Sequence, residues 1–239
     1  MNTIKIDKKQ VKMVAHRGVS GLEMENTNAA FVAAGNRSHF GIETDVHVTS
    51  DKKIVVMHDD NMLRVSGVDM VVEESTLAQL QAIPLYDKEP GKFRSDLHTP
   101  VLADYISICK KYGKIAVLEL KNRMMPEDIA QIVDEIRQLD YLDGVIFISF
   151  SWDNLIDLRK IVPGQKAQFL TGDNDEALVK KLVENELDLD IYYKSLTKEL
   201  VDILHENGRE VNCWTVDSPE DAQTMVSWGV DYITSNILE

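Results

Sequence analysis

Cysteine is scarce in this chain. Cys109 and Cys213 are the two in 239 residues, far apart and inside apolar stretches. That excludes a disulfide framework and a cysteine zinc site. Positive charge is short as well: 26 Lys and Arg stand against 40 Asp and Glu, for a formal net charge of −14. Such a balance argues against a nucleic-acid binder or a protein drawn to anionic membrane surfaces. No run approaches the roughly 20 apolar residues of a membrane span. The opening MNTIKIDKKQVKMVAHRG has no apolar core and no small-residue cleavage site, so it is not a secretory signal. A cytoplasmic location is the expectation. There is no fixed-period repeat, no low-complexity linker, and no G-x-G-x-x-G after the first strand, which counts against a dinucleotide-binding fold.

What is present is an alternation of short apolar runs and longer helical stretches in a chain long enough for one large domain. Strands are expected at 11–15, 41–48, 114–120, 145–150, 166–170, 187–192, 210–215 and 230–234, with a return strand at 53–57. Helices are expected near 27–36, 77–82, 102–112, 126 onward, 152–161, 175–185, 197–207 and 219–228. Asn26 reads as an N-cap, Thr76 and Gln79 as a capping box, Gly113 as a C′ residue and Pro126 as a helix start. The pattern predicts an α/β fold: a (β/α)₈ TIM barrel spanning 1–239, with a small insertion at 65–98 after the second strand. Residues 83–100, with three prolines and several charges, read as loop. The whole insertion reads as a solvated lid, with 65–72 as a weak candidate for an exposed apolar ridge.

In such a barrel the chemistry collects at the C-terminal ends of the strands. The first strand ends in His16 and Arg17. The second carries Glu43 and Asp45, two apart and therefore on one face, with His58 shortly after. The third carries Glu119 and Lys121 on one face. These strands are neighbours in a barrel, so three carboxylates converge on one rim. Like charges gathered there repel one another and lose hydration, which makes sense chiefly around a cation such as Ca²⁺ or Mg²⁺. Arg17 and Lys121 beside it suit a phosphate. Two histidines supply a general acid and a general base. Metal-assisted phosphoryl chemistry is the expectation.

HRG at 16–18, MENT at 24–27, IETDV at 42–46, MHDDNMLR at 57–64, LELK at 118–121 and CWTVD at 213–217 resemble the glycerophosphodiester phosphodiesterase family. The resemblance runs from the first strand to the eighth. It implies a TIM barrel that hydrolyses a small-molecule glycerophosphodiester to glycerol 3-phosphate and an alcohol, using Ca²⁺ or Mg²⁺. Carried over by position, it makes Glu43, Asp45 and Glu119 the metal ligands and His16 and His58 the acid/base pair. Arg17 and Lys121 would hold the phosphate, and Trp214 would pack against the glycerol carbons. Glu25 would brace Arg17 or His16, with Asn26 beside it. Which histidine is the base, which of the two metals is used, the alcohol and the oligomeric state stay open.

Met24 departs from the family's usual proline, an exchange expected to loosen that turn. Ser235 stands near a T-D-x-P segment common in the family, a change expected to touch no metal or histidine position. Two rivals are kept in view: a related phosphodiesterase for lysophospholipids or inositol and sugar phosphodiesters, and a non-catalytic phosphate-binding barrel.

Overall fold

A computed structural model describes residues 2–239 and all of their side chains except that of Glu176. In chain order the elements begin β1 (Lys12–Ala15), α1 (Asn28–Gly35), β2 (Gly41–Val48) and β3 (Ile54–Val56). The insertion follows with α2 (Leu63–Ser66), α3 (Leu77–Gln81), β4 (Tyr86–Asp87) and β5 (Glu89–Phe93). Then come α4 (Leu102–Tyr112), β6 (Ile115–Leu120), α5 (Pro126–Gln138), β7 (Val145–Ser149) and α6 (Trp152–Ile161). The chain ends through β8 (Ala167–Thr171), α7 (Glu176–Glu184), β9 (Asp188–Tyr192), α8 (Lys198–Glu206), β10 (Val211–Trp214), α9 (Pro219–Trp228) and β11 (Tyr232–Ser235).

Eight strands, β1, β2 and β6 to β11, run parallel, and β1 pairs with both β11 and β2, so the sheet closes on itself. The antiparallel β3 extends β2 beyond the rim. This is the (β/α)₈ barrel that the alternation predicts.

The two-residue period of the strands sorts their side chains into two cores. Val117, Ile146, Ile148 and Leu170 fill the barrel with Val14 and Tyr232. Their neighbours Leu118 and Phe147 point outward and pack under the helices. On α4, Leu102, Tyr105, Ile106 and Cys109 form the buried stripe that helical spacing dictates. Gly113 closes this helix at φ 63, a left-handed conformation that glycine adopts without a Cβ penalty. Thr76 and Gln79 form the expected capping box, and Pro126 opens α5.

The insertion differs from the solvated lid that its charges suggest. Val55, Met57, Met62, Val65, Val72, Leu80, Leu85 and Leu97 make a separate buried cluster, joined by Met24. Val65 and Val72, which bound the candidate ridge, are thus core, whereas Val68 and Val71 between them are exposed. Residues 83–100 are not all loop: β4 and β5 pair as a small hairpin, with Tyr86 against Phe93 at 4.8 Å between ring centroids. The charged residues here, Arg94 with Glu23 and Asp96 among them, decorate the outside of this core. Charge density hid it because an apolar residue every few positions suffices to build a small core.

Candidate active site

The turn after β1 is the first part of the site. His16 N–H donates to the Ser235 carbonyl at 2.9 Å, and Gly18 N–H to that of Glu43 at 3.2 Å. Gly18 sits at φ +78, and a Cβ there would meet Ala30 at 2.7 Å, so HRG needs its glycine. Arg17 and Asn26 also take positive φ values, 52 and 53. The chain reverses there and returns, with Asn26 N–H donating to the Arg17 carbonyl.

Strand register brings the carboxylates together. Asp45 on β2 stands directly opposite Glu119 on β6, and Glu43 lies two residues earlier on the same face. All three are buried, and ligand oxygens from each lie within 4.8 Å of one another. Burial pushes Glu43 well up, and the Asp45 charge pushes it further. Glu119 rises for the same two reasons. Burial acts on Asp45 too, but Lys121 and Arg17 outweigh it and hold that carboxyl low. Lys121 Nζ reaches Glu119 at 2.9 Å and Asp45 at 3.5 Å. Arg17 Nε stands 3.7 Å from Asp45, and Arg17 N–H donates to Glu43 at 2.7 Å. Among the described residues one buried Asp45 oxygen, Oδ1, accepts no hydrogen bond and has only the Lys121 ammonium at 3.5 Å beside it. Three hard oxygen donors, mutually repulsive and one of them unsatisfied, fit a hard divalent cation.

The histidines are supported differently. His58 Nδ1 is 2.6 Å from the carboxylate of Asp59, whereas His16 Nδ1 is 2.7 Å from the side-chain oxygen of Asn236. Burial and then the Arg17 charge press His16 down to about 4. Burial also lowers His58, against the opposing pull of Asp45.

Both rings border a small cavity of about 50 Å³, together with Arg17, Glu43, Glu119 and Trp214. Behind the Glu119 of this lining, Lys121 bridges Glu119 and Asp45. Trp214 packs edge-on to Phe150 at 5.6 Å and lies beside Tyr192 at the same centroid distance. Glu25 accepts from Arg17 at 2.8 Å and does not bond His16.

Three sequence expectations are corrected here. Asn26 is not the cap of α1; Thr27 is, its side chain accepting from Ala30 N–H. The Asn26 amide instead donates to Asp45 at 2.8 Å and its oxygen accepts from Thr44 at 2.7 Å. The departure near Ser235 does reach a histidine, because Asn236 next to it bonds His16. Met24 does not loosen its turn: its side chain is buried in the insertion core and its carbonyl accepts from the Thr27 hydroxyl at 2.7 Å.

Several residues at the site escape sequence reading. Asp190 on β9 borders the cavity, is buried, and is pushed well up by burial and by Glu119. Its one signal is a carboxylate within the apolar strand LDLDIY. Asp59 meets its neighbour His58 and, five positions on, Arg64 within the motif at 57–64, whereas the contacts of Arg64 with Glu25, Asp217 with Asn236 and Asn236 with His16 arise only in the folded chain.

A parallel barrel with an acidic triad, two histidines and two cations at its C-terminal rim defines a phosphoester-processing site. Residues 16–238 match the glycerophosphoryl diester phosphodiesterase family, and the chain belongs to that family. It is 29% identical to a glycerophosphodiester phosphodiesterase of Caldanaerobacter subterraneus subsp. tengcongensis over 94% of this chain and 93% of the other. A crystal structure of a glycerophosphodiester phosphodiesterase from Parabacteroides distasonis is 26% identical, with a TM-score of 0.79 over 95% of this chain and 93% of that one. An Oleispira antarctica phosphodiesterase, solved with the product sn-glycerol-3-phosphate, shares the fold at 24% identity and a TM-score of 0.85, over 98% of this chain and 96% of that one. No helix among the described residues is long and apolar enough to cross a membrane.

Proposed function

We propose that this protein hydrolyses glycerophosphodiesters to sn-glycerol 3-phosphate and an alcohol with a divalent cation, Ca²⁺ or Mg²⁺, at Glu43, Asp45 and Glu119. The observation that carries this reading is the meeting of three buried carboxylates, Arg17 and Lys121 within one ion-paired cluster beside two histidines. The product bound to the Oleispira phosphodiesterase supports the choice of substrate.

Glu43, Asp45 and Glu119 would hold the cation, which would supply Lewis-acid polarisation of a phosphoryl oxygen. Arg17 and Lys121 orient the phosphate and neutralise the charge that builds on it. One histidine takes the proton of the glycerol 2-hydroxyl as its oxygen attacks phosphorus. The other gives a proton to the departing alkoxide, so the P–O bond to the alcohol breaks as the cyclic bond forms. Water then opens the cyclic phosphate with the proton transfers reversed. Trp214 offers the apolar wall against which the glycerol carbons pack.

A second substrate class, lysophospholipids, is favoured by Phe150, 49% exposed beside Trp214 at the mouth of the cavity. The test is release of glycerol 3-phosphate from glycerophosphocholine, with release of choline from lysophosphatidylcholine in parallel, with and without chelator, and with His58→Ala. Chelator-sensitive release that the variant lacks is expected. No turnover of any diester across head groups and both metals would overturn the catalytic reading.

A further inference from the structure

Asn236 is held from two sides. Its Nδ2 donates to Asp217 Oδ2 at 2.6 Å, and its backbone N–H to Asp217 Oδ1 at 2.8 Å. The Ser235 hydroxyl donates to the same Oδ1 at 2.9 Å. A carboxylate only accepts, so Asp217 fixes which end of the Asn236 amide faces it. The amide oxygen must then face the other way, where the Ser20 hydroxyl donates to it at 2.6 Å and His16 Nδ1 lies at 2.7 Å. Against an oxygen, Nδ1 must carry the proton.

We infer that Asp217 and Asn236 are positioning residues that lock His16 in its Nδ1–H tautomer and so keep Nε2 as its proton-exchanging atom. This rests on His16 being one of the two acid/base groups proposed above. The lock serves either role. As a base, neutral His16 accepts only at the nitrogen that lacks a proton. As an acid, the imidazolium needs an acceptor, not an amide N–H, against Nδ1.

The lock can be inverted from a distance. In Asp217→Asn, the new amide keeps its oxygen toward the Ser235 hydroxyl and the 236 backbone N–H, and turns its NH₂ toward Asn236. Asn236 then rotates, setting its own NH₂ against His16 Nδ1 and moving the imidazole proton to Nε2. The double exchange Asp217→Asn with Asn236→Asp restores an acceptor at His16, with the 217 amide as donor behind it.

Ring ¹⁵N shifts of His16 at neutral pH read the tautomer directly and need no turnover. Wild type is expected as Nδ1–H, Asp217→Asn shifted to Nε2–H, and the double exchange back to Nδ1–H. Alongside, kcat should fall about 10- to 100-fold in Asp217→Asn with KM within about twofold, and recover most of that loss in the exchange. A wild-type Nε2–H ring, or the same tautomer in wild type and Asp217→Asn, would overturn the inference. An inactive wild type with the expected tautomer pattern would overturn the reaction assignment and leave the lock standing.

Discussion

Arg64 and Asp59 face one another fork to fork, Nε to Oδ2 at 2.6 Å and Nη2 to Oδ1 at 3.0 Å. The same guanidinium holds Glu25 at 2.7 and 2.9 Å. Asp59 supports His58 and Glu25 supports Arg17, so one side chain ties a proposed acid/base group to a proposed phosphate ligand. Planar bidentate pairing is something lysine cannot reproduce. Arg64→Met should lower kcat/KM about 10- to 100-fold, and Arg64→Lys should recover only part of it. Steady-state kinetics of the three proteins checks this, and a lysine variant at full activity would show that charge alone suffices.

How far the site was legible follows from sequence separation. The alternation in IETDV and LELK already sets Glu43, Asp45, Glu119 and Lys121 on facing surfaces, because strand period and barrel order are local facts. Arg64 meets Glu25 across 39 positions and Asn236 meets His16 across 220, and no local pattern reports such contacts. The last strand lies beside the first only because the barrel closes. Asn26 and Thr27 are both good caps, and the choice between them turned on a remote group, the Asp45 carboxylate that takes the Asn26 amide.

Crowding three carboxylates costs stability that Arg17 and Lys121 offset in part and that the proposed cation would offset further. A divalent ion at about 100 times its Kd should add about 2.7 kcal/mol, or roughly 5–10 °C in Tm for a chain of this size. Glu43→Gln removes one of the mutually repelling charges. In chelator it should melt at or above the wild type, and with Ca²⁺ or Mg²⁺ below it. Thermal scans of both proteins with and without metal test the crossing; parallel behaviour would argue against a cation at this triad.

His39 gives a pH dependence away from the site. Its Nε2 lies 3.0 Å from the Leu238 carbonyl, and its buried Nδ1 has no hydrogen-bond partner among the described residues. Burial lowers it from 6.5 to about 4, with Lys114 and Lys8 adding to the shift against the pull of Leu238 and Glu239. Between those values the unfolded chain binds the proton and the folded one does not, so this contribution is whole above pH 6.5 and is lost on acidification toward 4. Roughly 3 kcal/mol should disappear over that window in the wild type. His39→Leu should flatten the slope, as measured by urea unfolding at a series of pH values; an unchanged slope would show that the ring is charged in the fold.

The insertion core also bears on catalysis, because Met57 and Met62 enter it from either side of His58. Met62 has no exposed surface and its carbonyl accepts from the Ser66 hydroxyl at 2.9 Å, so the turn carrying His58 and Asp59 is anchored from below. Truncating a buried methionine costs about 2–5 kcal/mol, set by how far the site collapses. Met62→Ala should lose that much in urea unfolding, while Met62→Leu, similar in volume, should lose less than about 1.5 kcal/mol. If the anchor holds the ring, kcat in Met62→Ala should fall while KM moves little, since Arg17 and Lys121 lie on other strands. Equal stability loss with an unchanged kcat would show that the turn keeps its shape through Arg64 and Asp59 alone.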